Sequence, residues 1–357
     1  MALDRVTALW ERAAARGVDG VVITRAENRR HLTGFTGSDG IALVTADEAL
    51  LIVDFRYVEQ AGTQALGFTV VRTGNQRPLE ALAALVPARR LQRLGFEADG
   101  LSFGQHRRLA AQADGTEMVP LEDLDHLRWL KDAEEIARIA RAAQIAAHAF
   151  EALLPRVAPG VPERDLALEL EFDMRRRGAE RAAFDTIVAS GWRAALPHGQ
   201  ASDKVLQPGE MVVIDFGAVC EGYCSDCTRT VVLGRADARQ REIYDLVRRA
   251  QEAGLAALRP GLRGREVDAA AREVIAGAGH GDAFGHSLGH GVGLAVHEGP
   301  TLSPREDAAI AAGHVVTVEP GIYLPGWGGV RIEDLVQVTP DGVRVLTPTG
   351  RELREMG

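Results

Sequence analysis

Residues 211–233 read MVVIDFGAVCEGYCSDCTRTVVL and carry two aspartates, Asp215 and Asp226, inside a pattern that otherwise reads as a β-hairpin. Apolar, β-branched runs at 211–214 and 230–233 flank a turn region holding Glu221 and Gly222. With the turn centred between Cys220 and Glu221, Asp215 is expected directly across from Asp226. Like charges opposed on paired strands are destabilising. Partly buried, they raise one pKa sharply or require a cation between them. This hairpin is therefore expected to hold metal, with the remaining ligands elsewhere in the chain.

Working outward, the chain's 357 residues exceed the size at which single cores stop growing, about 250–300 residues, so two domains are expected. Charged residues at 25% and apolar residues at 46% are ordinary for a globular protein. A net charge of −9 argues against a general nucleic-acid partner. No apolar run reaches the roughly 18 residues a membrane helix needs. The N-terminus, MALDRVTALWERAAARG, is amphipathic and lacks the apolar core of a signal peptide, so a cytoplasmic location with no membrane partner is the expectation.

Residues 1–124 read as an α/β domain with a mixed sheet. Strands are expected at 20–24, 41–45, 49–54 and 93–97, and helices up to Gly17 and over 78–86 and 102–113. Residues 125–357 form the second domain. Asp132 with Glu135 makes a capping box for a long helix to about Leu154, followed by a helix over 162–177. A strand at 184–189, the Asp215/Asp226 hairpin, helices at 239–258 and 264–276, and strand pairs around 286–296 and 314–338 complete it.

Five of the ten histidines, His280, His286, His290, His297 and His314, fall within 35 residues. His286 and His290 stand four apart in FGHSLGHGVG, a spacing that shares a face in a helix or an extended chain; the glycines would permit close approach to a ligand. Glu319 ends VVTV, and in GVRIEDL Arg331 and Glu333 share one strand face while Asp334 faces away. Asp215, Asp226, His290, Glu319 and Glu333 together suit a pair of divalent ions, Mn²⁺ above all, with Zn²⁺ or Co²⁺ as alternatives. Two such ions can share a hydroxide at neutral pH.

IDFGAVCEGYCSDCTRT, FGHSLGHGVGLAVHEGP, VVTVEPGIY and GVRIEDL resemble the signature segments of the pita-bread metallopeptidases, in the Xaa-Pro peptidase branch of proline dipeptidases and aminopeptidases P. NRRHLTGFTGSDG and LIVDFRY are similar to that branch's creatinase-like N-terminal domain, and FDTIVASGWRAALPHG resembles the segment leading to a family histidine. The resemblance implies an α/β creatinase-like domain followed by a catalytic domain with a curved antiparallel sheet flanked by helices. It implies that Asp215 chelates one ion, that Asp226 and Glu333 bridge both, and that His290 and Glu319 complete the second. Glu319 would be the general base, His198 and His297 would bind the substrate and tetrahedral intermediate, His286 would line the proline pocket, and Arg331 would steady the substrate side. The implied substrate is a small peptide with proline second, and the implied assembly is a homodimer.

Dipeptidase is preferred over aminopeptidase P. A dipeptidase must bind the substrate's carboxylate, for which Arg29, Arg30 and Arg56 are candidates. A non-catalytic peptide- or protein-binding member of the family is a further reading. Cys224-x-x-Cys227 could instead mark half a zinc or redox site, but no second cysteine pair accompanies it.

Overall fold

The computed structural model describes residues 2–113 and 115–357. The chain divides into two compact units, Met1–Arg128 and Trp129–Gly357. The expected boundary at 124/125 falls at the start of a 3₁₀ helix, Leu124–Arg128, that packs on the first unit's α1 (Ala2–Ala14) and α2 (Ala26–Thr33).

The first unit is built on six strands: β1 (Gly20–Ile23), β2 (Ile41–Thr45), β3 (Ala49–Val53), β4 (Thr69–Arg72), β5 (Arg93–Glu97) and β6 (Glu117–Leu121). Their order is β4-β3-β2-β1-β5-β6. β2 runs antiparallel to β1 and β3, and the other pairs are parallel. Val21 and Ile23 pack with Leu9 and Leu32 on one face, while Val22 packs with Leu82 and Leu109 on the other. Both faces are covered, so β1 reads as a continuous apolar run rather than an alternating one. The remaining helices are α3 (Val58–Gln64), α4 (Pro78–Ala88) and α5 (Phe103–Gln112).

Helix α2 carries the NRRHLTGF segment and has no apolar stripe. Its buried residues are Asn28, Arg29, His31, Leu32 and Thr33. Asn28 donates to Glu97, whose other carboxylate oxygen accepts the Thr24 and Arg25 backbone N–H groups. The Arg29 guanidinium, 3% exposed as a residue, donates to the carbonyls of Gly37 and Gly40 at 2.8 Å each. Arg56 is exposed and forked onto Asp54 of its own loop. Arg30 is half-buried on α2.

The second unit carries α6 (Ala133–Leu153), α7 (Glu163–Arg176), α8 (Ala238–Ala257) and α9 (Gly264–Gly277). Asp132 and Glu135 form the expected reciprocal cap of α6, each accepting the other's N–H at 2.9 Å. Its short strands are β7 (Arg181–Ala182), β8 (Ile187–Ser190), β9 (Met211–Phe216), β10 (Ala218–Cys220), β11 (Tyr223–Cys224) and β12 (Cys227–Leu233). Then come β13 (Gly289–Gly291), β14 (Glu298–Leu302), β15 (Val315–Val318), β16 (Gly321–Leu324), β17 (Gly328–Arg331), β18 (Asp334–Thr339), β19 (Gly342–Val345) and β20 (Arg354–Met356). One sheet runs β20-β12-β9-β8 and another β14-β13-β15-β18-β19, nearly all antiparallel. α6 and α7 cover the first through Phe150, Leu170, Ile214 and Val231; α8 and α9 cover the second through Val247, Val267, Val316 and Val336. Among the described residues no helix is long and apolar enough to cross a membrane.

The hairpin register differs from the expected one. Thr228, not Asp226, faces Asp215, and Cys220 pairs with Tyr223. The cause is the turn. Glu221 and Gly222 both adopt positive φ, 48° and 79°, as the central residues of a two-residue primed turn require. Centring the turn one bond later moves Asp226 to a diagonal position.

His314 gives a stability prediction. It is 4% exposed, its Nδ1 accepts the Ala311 N–H at 3.2 Å, and burial followed by the Lys131 charge pushes its pKa down to about 4. The folded-state value lies below the unfolded one, so this contribution is complete above about pH 6.5 and is lost as pH falls toward 4. The loss amounts to about 2–3 kcal/mol at the acid end. His314→Asn, which keeps the acceptor, should flatten the fall in urea midpoint between pH 7 and 4.5. Parallel pH dependences in the two proteins would show that His314 does not drive it.

Candidate active site

Asp215 lies near the end of β9, and Asp226 immediately precedes β12. The third acidic position, Glu333, sits in the break between β17 and β18, where its N–H donates to Thr228 O at 3.1 Å. Thr228 fixes the local geometry: its hydroxyl donates to Glu333 Oε2 at 2.7 Å and accepts from Arg331 Nε at 2.9 Å. Arg331 in turn reaches Asp215 Oδ2 at 2.7 Å, Tyr323 OH at 2.8 Å and Pro197 O at 3.0 Å. Arg331 and Glu333 thus share a side as expected. Asp334 turns away to Arg229, Gln251 and Arg351.

His290 sits between two glycines in β13. A Cβ on Gly289 would come within 2.0 Å of Thr317 O, and one on Gly291 within 2.3 Å of Gly299 O. These glycines therefore serve close strand packing rather than approach to a ligand, which corrects the reading of their role. The His290 N–H donates to Thr317 Oγ1 at 3.1 Å, and that hydroxyl donates to Glu319 Oε1 at 3.0 Å. His290 Nε2 lies 3.2 Å from Glu319 Oε1 and 3.6 Å from Asp226 Oδ2. Asp226, His290 and Glu333 each offer a ligand atom, all within 4.8 Å of one another. Glu319 joins this group through His290, while Asp215 is held on Arg331.

The electrostatics are those of a site short of positive charge. Burial, then Glu333, Asp215 and Glu319, push the Asp226 carboxyl well above its ordinary range. Burial, then Glu319 and Asp215, do the same to Glu333. Asp215 is raised by burial against the opposing charge of Arg331. For Glu319, burial alone would raise the pKa, but the His290 hydrogen bond and charge outweigh it and bring it to about 2. Burial would lower His290, and Glu319 raises it instead. Asp215 Oδ1 and Glu333 Oε1 are buried without a hydrogen-bond partner. Orphaned carboxylate oxygens beside an imidazole form a hard-to-borderline donor set that fits divalent cations. The cysteines do not compete. Cys224 and Cys227 direct their sulfurs toward the Leu294 and Glu333 carbonyls, and burial pushes the Cys227 thiol well up, away from thiolate.

A cleft of about 370 Å³ opens over Asp215, Asp226, His290 and Glu319. Its walls include Phe184, Ile187, Pro197, His198, His286, His297 and Arg331. His286 is oriented by Ser287 O at 2.8 Å and Tyr323 OH at 2.9 Å, and burial lowers its pKa. The His297 ring stands 4.3 Å from the His290 ring, and His198 is exposed in a turn on the cleft wall. Sequence reasoning passed over Thr228, Thr317 and Tyr323. Thr228 lies two residues past Asp226, on the same strand face, and Tyr323 ends VVTVEPGIY, so both had a positional signal.

Residues 137–340 match the model of metallopeptidase family M24, and residues 5–129 match that of the creatinase/prolidase N-terminal domain. The chain is 38% identical to an Xaa-Pro dipeptidase of Pyrococcus horikoshii, over 98% of each chain. Among solved structures it resembles an Xaa-Pro dipeptidase from Bacillus anthracis, with a TM-score of 0.97, 44% identity and 100% of each chain covered. It also resembles an X-Pro aminopeptidase from Thermotoga maritima, with a TM-score of 0.90, 38% identity, and 99% and 100% of the two chains covered.

Proposed function

The chain belongs to metallopeptidase family M24, and from that premise we propose that it hydrolyses the Xaa–Pro bond of short peptides, with Xaa-Pro dipeptides preferred. The observation that carries this reading is the buried group of Asp226, His290 and Glu333, flanked by Asp215 and Glu319, at the floor of a peptide-sized cleft. Asp215, Asp226, His290, Glu319 and Glu333 would hold two divalent ions, Mn²⁺ in first place. Bound there, the ions supply Lewis acidity and lower the pKa of water.

The chain's own residues do the rest. Glu319, on the cleft beside His290, accepts a proton from the attacking water and delivers it to the proline nitrogen, which must be protonated to leave. His297 and His198 donate to the carbonyl oxygen as charge develops on it. His286, held by Tyr323, walls the proline ring. Arg331 acts on the substrate side by holding Asp215 and Tyr323 in place. A homodimer in the cytoplasm accompanies this reading, and sedimentation would check the dimer.

Dipeptide preference separates this reading from an aminopeptidase P. The relatives carry both activities in their names, at similar identity. Arg29, Arg30 and Arg56 are the candidates for the substrate carboxylate; Arg29 is the most enclosed, buried and donating to two carbonyls of its own domain, so Arg30 and Arg56 are tested first. The test is the rate on Ala-Pro against Ala-Pro-Ala after Mn²⁺ loading, in wild type and in Arg30→Ala and Arg56→Ala. One of the two should lower the dipeptide-to-tripeptide ratio about tenfold, the value of one charge-assisted hydrogen bond. An unchanged ratio in both variants would remove Arg30 and Arg56 from that role.

A further inference from the structure

The second unit buries an ion pair that the chemistry above leaves unused. Lys131, just ahead of α6, and Glu298, the first residue of β14, meet at 2.6 Å with side chains 1% and 2% exposed. Lys131 Nζ also donates to Trp129 O at 3.1 Å. The neighbouring backbone is drawn in tightly. A Cβ on Gly293 would come within 2.4 Å of Glu298 Oε1 and 3.1 Å of Lys131 Cε, and a Cβ on Gly299 within 2.1 Å of the Trp129 indole. The pair therefore abuts the segment joining β13 to β14, whose last residue is His297.

Glu298 turns into the protein, and His297 lines the cleft beside His290. An anchor on Glu298 is therefore a lever on the imidazole one residue earlier. Stability alone is a poor reason for such an anchor. Desolvating two charges is costly, and apolar residues of similar volume often serve as well or better. A charged hydrogen bond does supply a fixed length and direction.

We propose that Lys131 and Glu298 are positioning residues for His297: their buried contact fixes the backbone at Glu298 and so sets the imidazole against the carboxylate cluster. The catalytic consequence rests on the peptidase reading above; the geometric one does not.

The test compares Glu298→Gln, His297→Ala and the double variant in the full Mn²⁺-loaded chain, with Lys131→Met replacing Glu298→Gln should the latter fail to fold. Glu298→Gln should lower kcat/KM about tenfold, within the usual range of coupling energies. The double variant should then be no more than about twofold worse than His297→Ala. Losses that multiply in the double variant would overturn the proposal. Independently of activity, the His297 ring resonances of the metal-free protein should move in Glu298→Gln and Lys131→Met while those of His198 stay in place. Unmoved His297 resonances would overturn the geometry. Moved His297 resonances in the variants together with a wild type that cleaves no Xaa–Pro bond would instead remove the peptidase reading.

Discussion

Asp226→Asn should abolish Xaa-Pro hydrolysis and at the same time make the metal-free protein more stable. Asp226 is 5% exposed and lies 3.6 Å from His290, with Glu333, Asp215 and Glu319 all disfavouring its charge. Its folded-state pKa is raised, so without metal the ionised form opposes folding, and stability is lost as pH rises through that value. The amide removes the penalty at neutral pH and should raise the metal-free midpoint by a few °C. It also removes one of the two ligands, with Glu333, expected to touch both ions. Mn²⁺ should raise the wild-type midpoint by mass action and leave that of Asp226→Asn nearly unmoved. Metal analysis should find close to two ions in wild type and fewer than one in the variant, and kcat/KM should fall at least about 1,000-fold. A variant that is less stable without metal would show that Asp226 is held by contacts other than those described. One that keeps both ions would show that it does not bridge.

The opposite signs of these two effects explain what was legible in the sequence. Each expected ligand is a carboxylate or imidazole in or directly beside an apolar strand, and such local conflicts concentrate at functional sites. That is why Asp215 and Asp226 stand out in MVVIDFGAVCEGYCSDCTRTVVL. The long helices were also readable, because α6 shows its cap and its apolar spacing openly. Helix α2 was not: its buried face includes Asn28, Arg29, His31 and Thr33, with Asn28 held by Glu97, distant in sequence, and Arg29 by the Gly37 and Gly40 carbonyls, which no apolar periodicity signals. The hairpin register was missed by one bond because Glu221 adopts positive φ, a conformation that composition does not signal for a non-glycine residue. Thr228 and Tyr323 were passed over for a related reason. Their part is to hold Arg331 and Glu333, and a hydroxyl acquires that part only when the break after β17 brings the strands together.

Glu319→Gln should separate metal binding from proton transfer. The amide keeps an oxygen that can accept the Thr317 hydroxyl, now 3.0 Å from Glu319 Oε1, and so keeps the side chain where it is. It cannot carry a proton between water and the proline nitrogen. Losing a positioned general base costs about 100–10,000-fold. The loss should appear in kcat with KM little changed, because an interaction needed only in the transition state has been removed. Metal content should stay near the wild-type value, in contrast to Asp226→Asn. A second readout needs no turnover. In the metal-free protein the Glu319 hydrogen bond and charge hold the His290 pKa above its ordinary value against burial, so His290 should titrate lower in the variant. If His290 shifts and metal is retained but kcat falls less than about tenfold, proton transfer belongs to another group. If kcat falls only in proportion to lost metal, Glu319 is a ligand and nothing more.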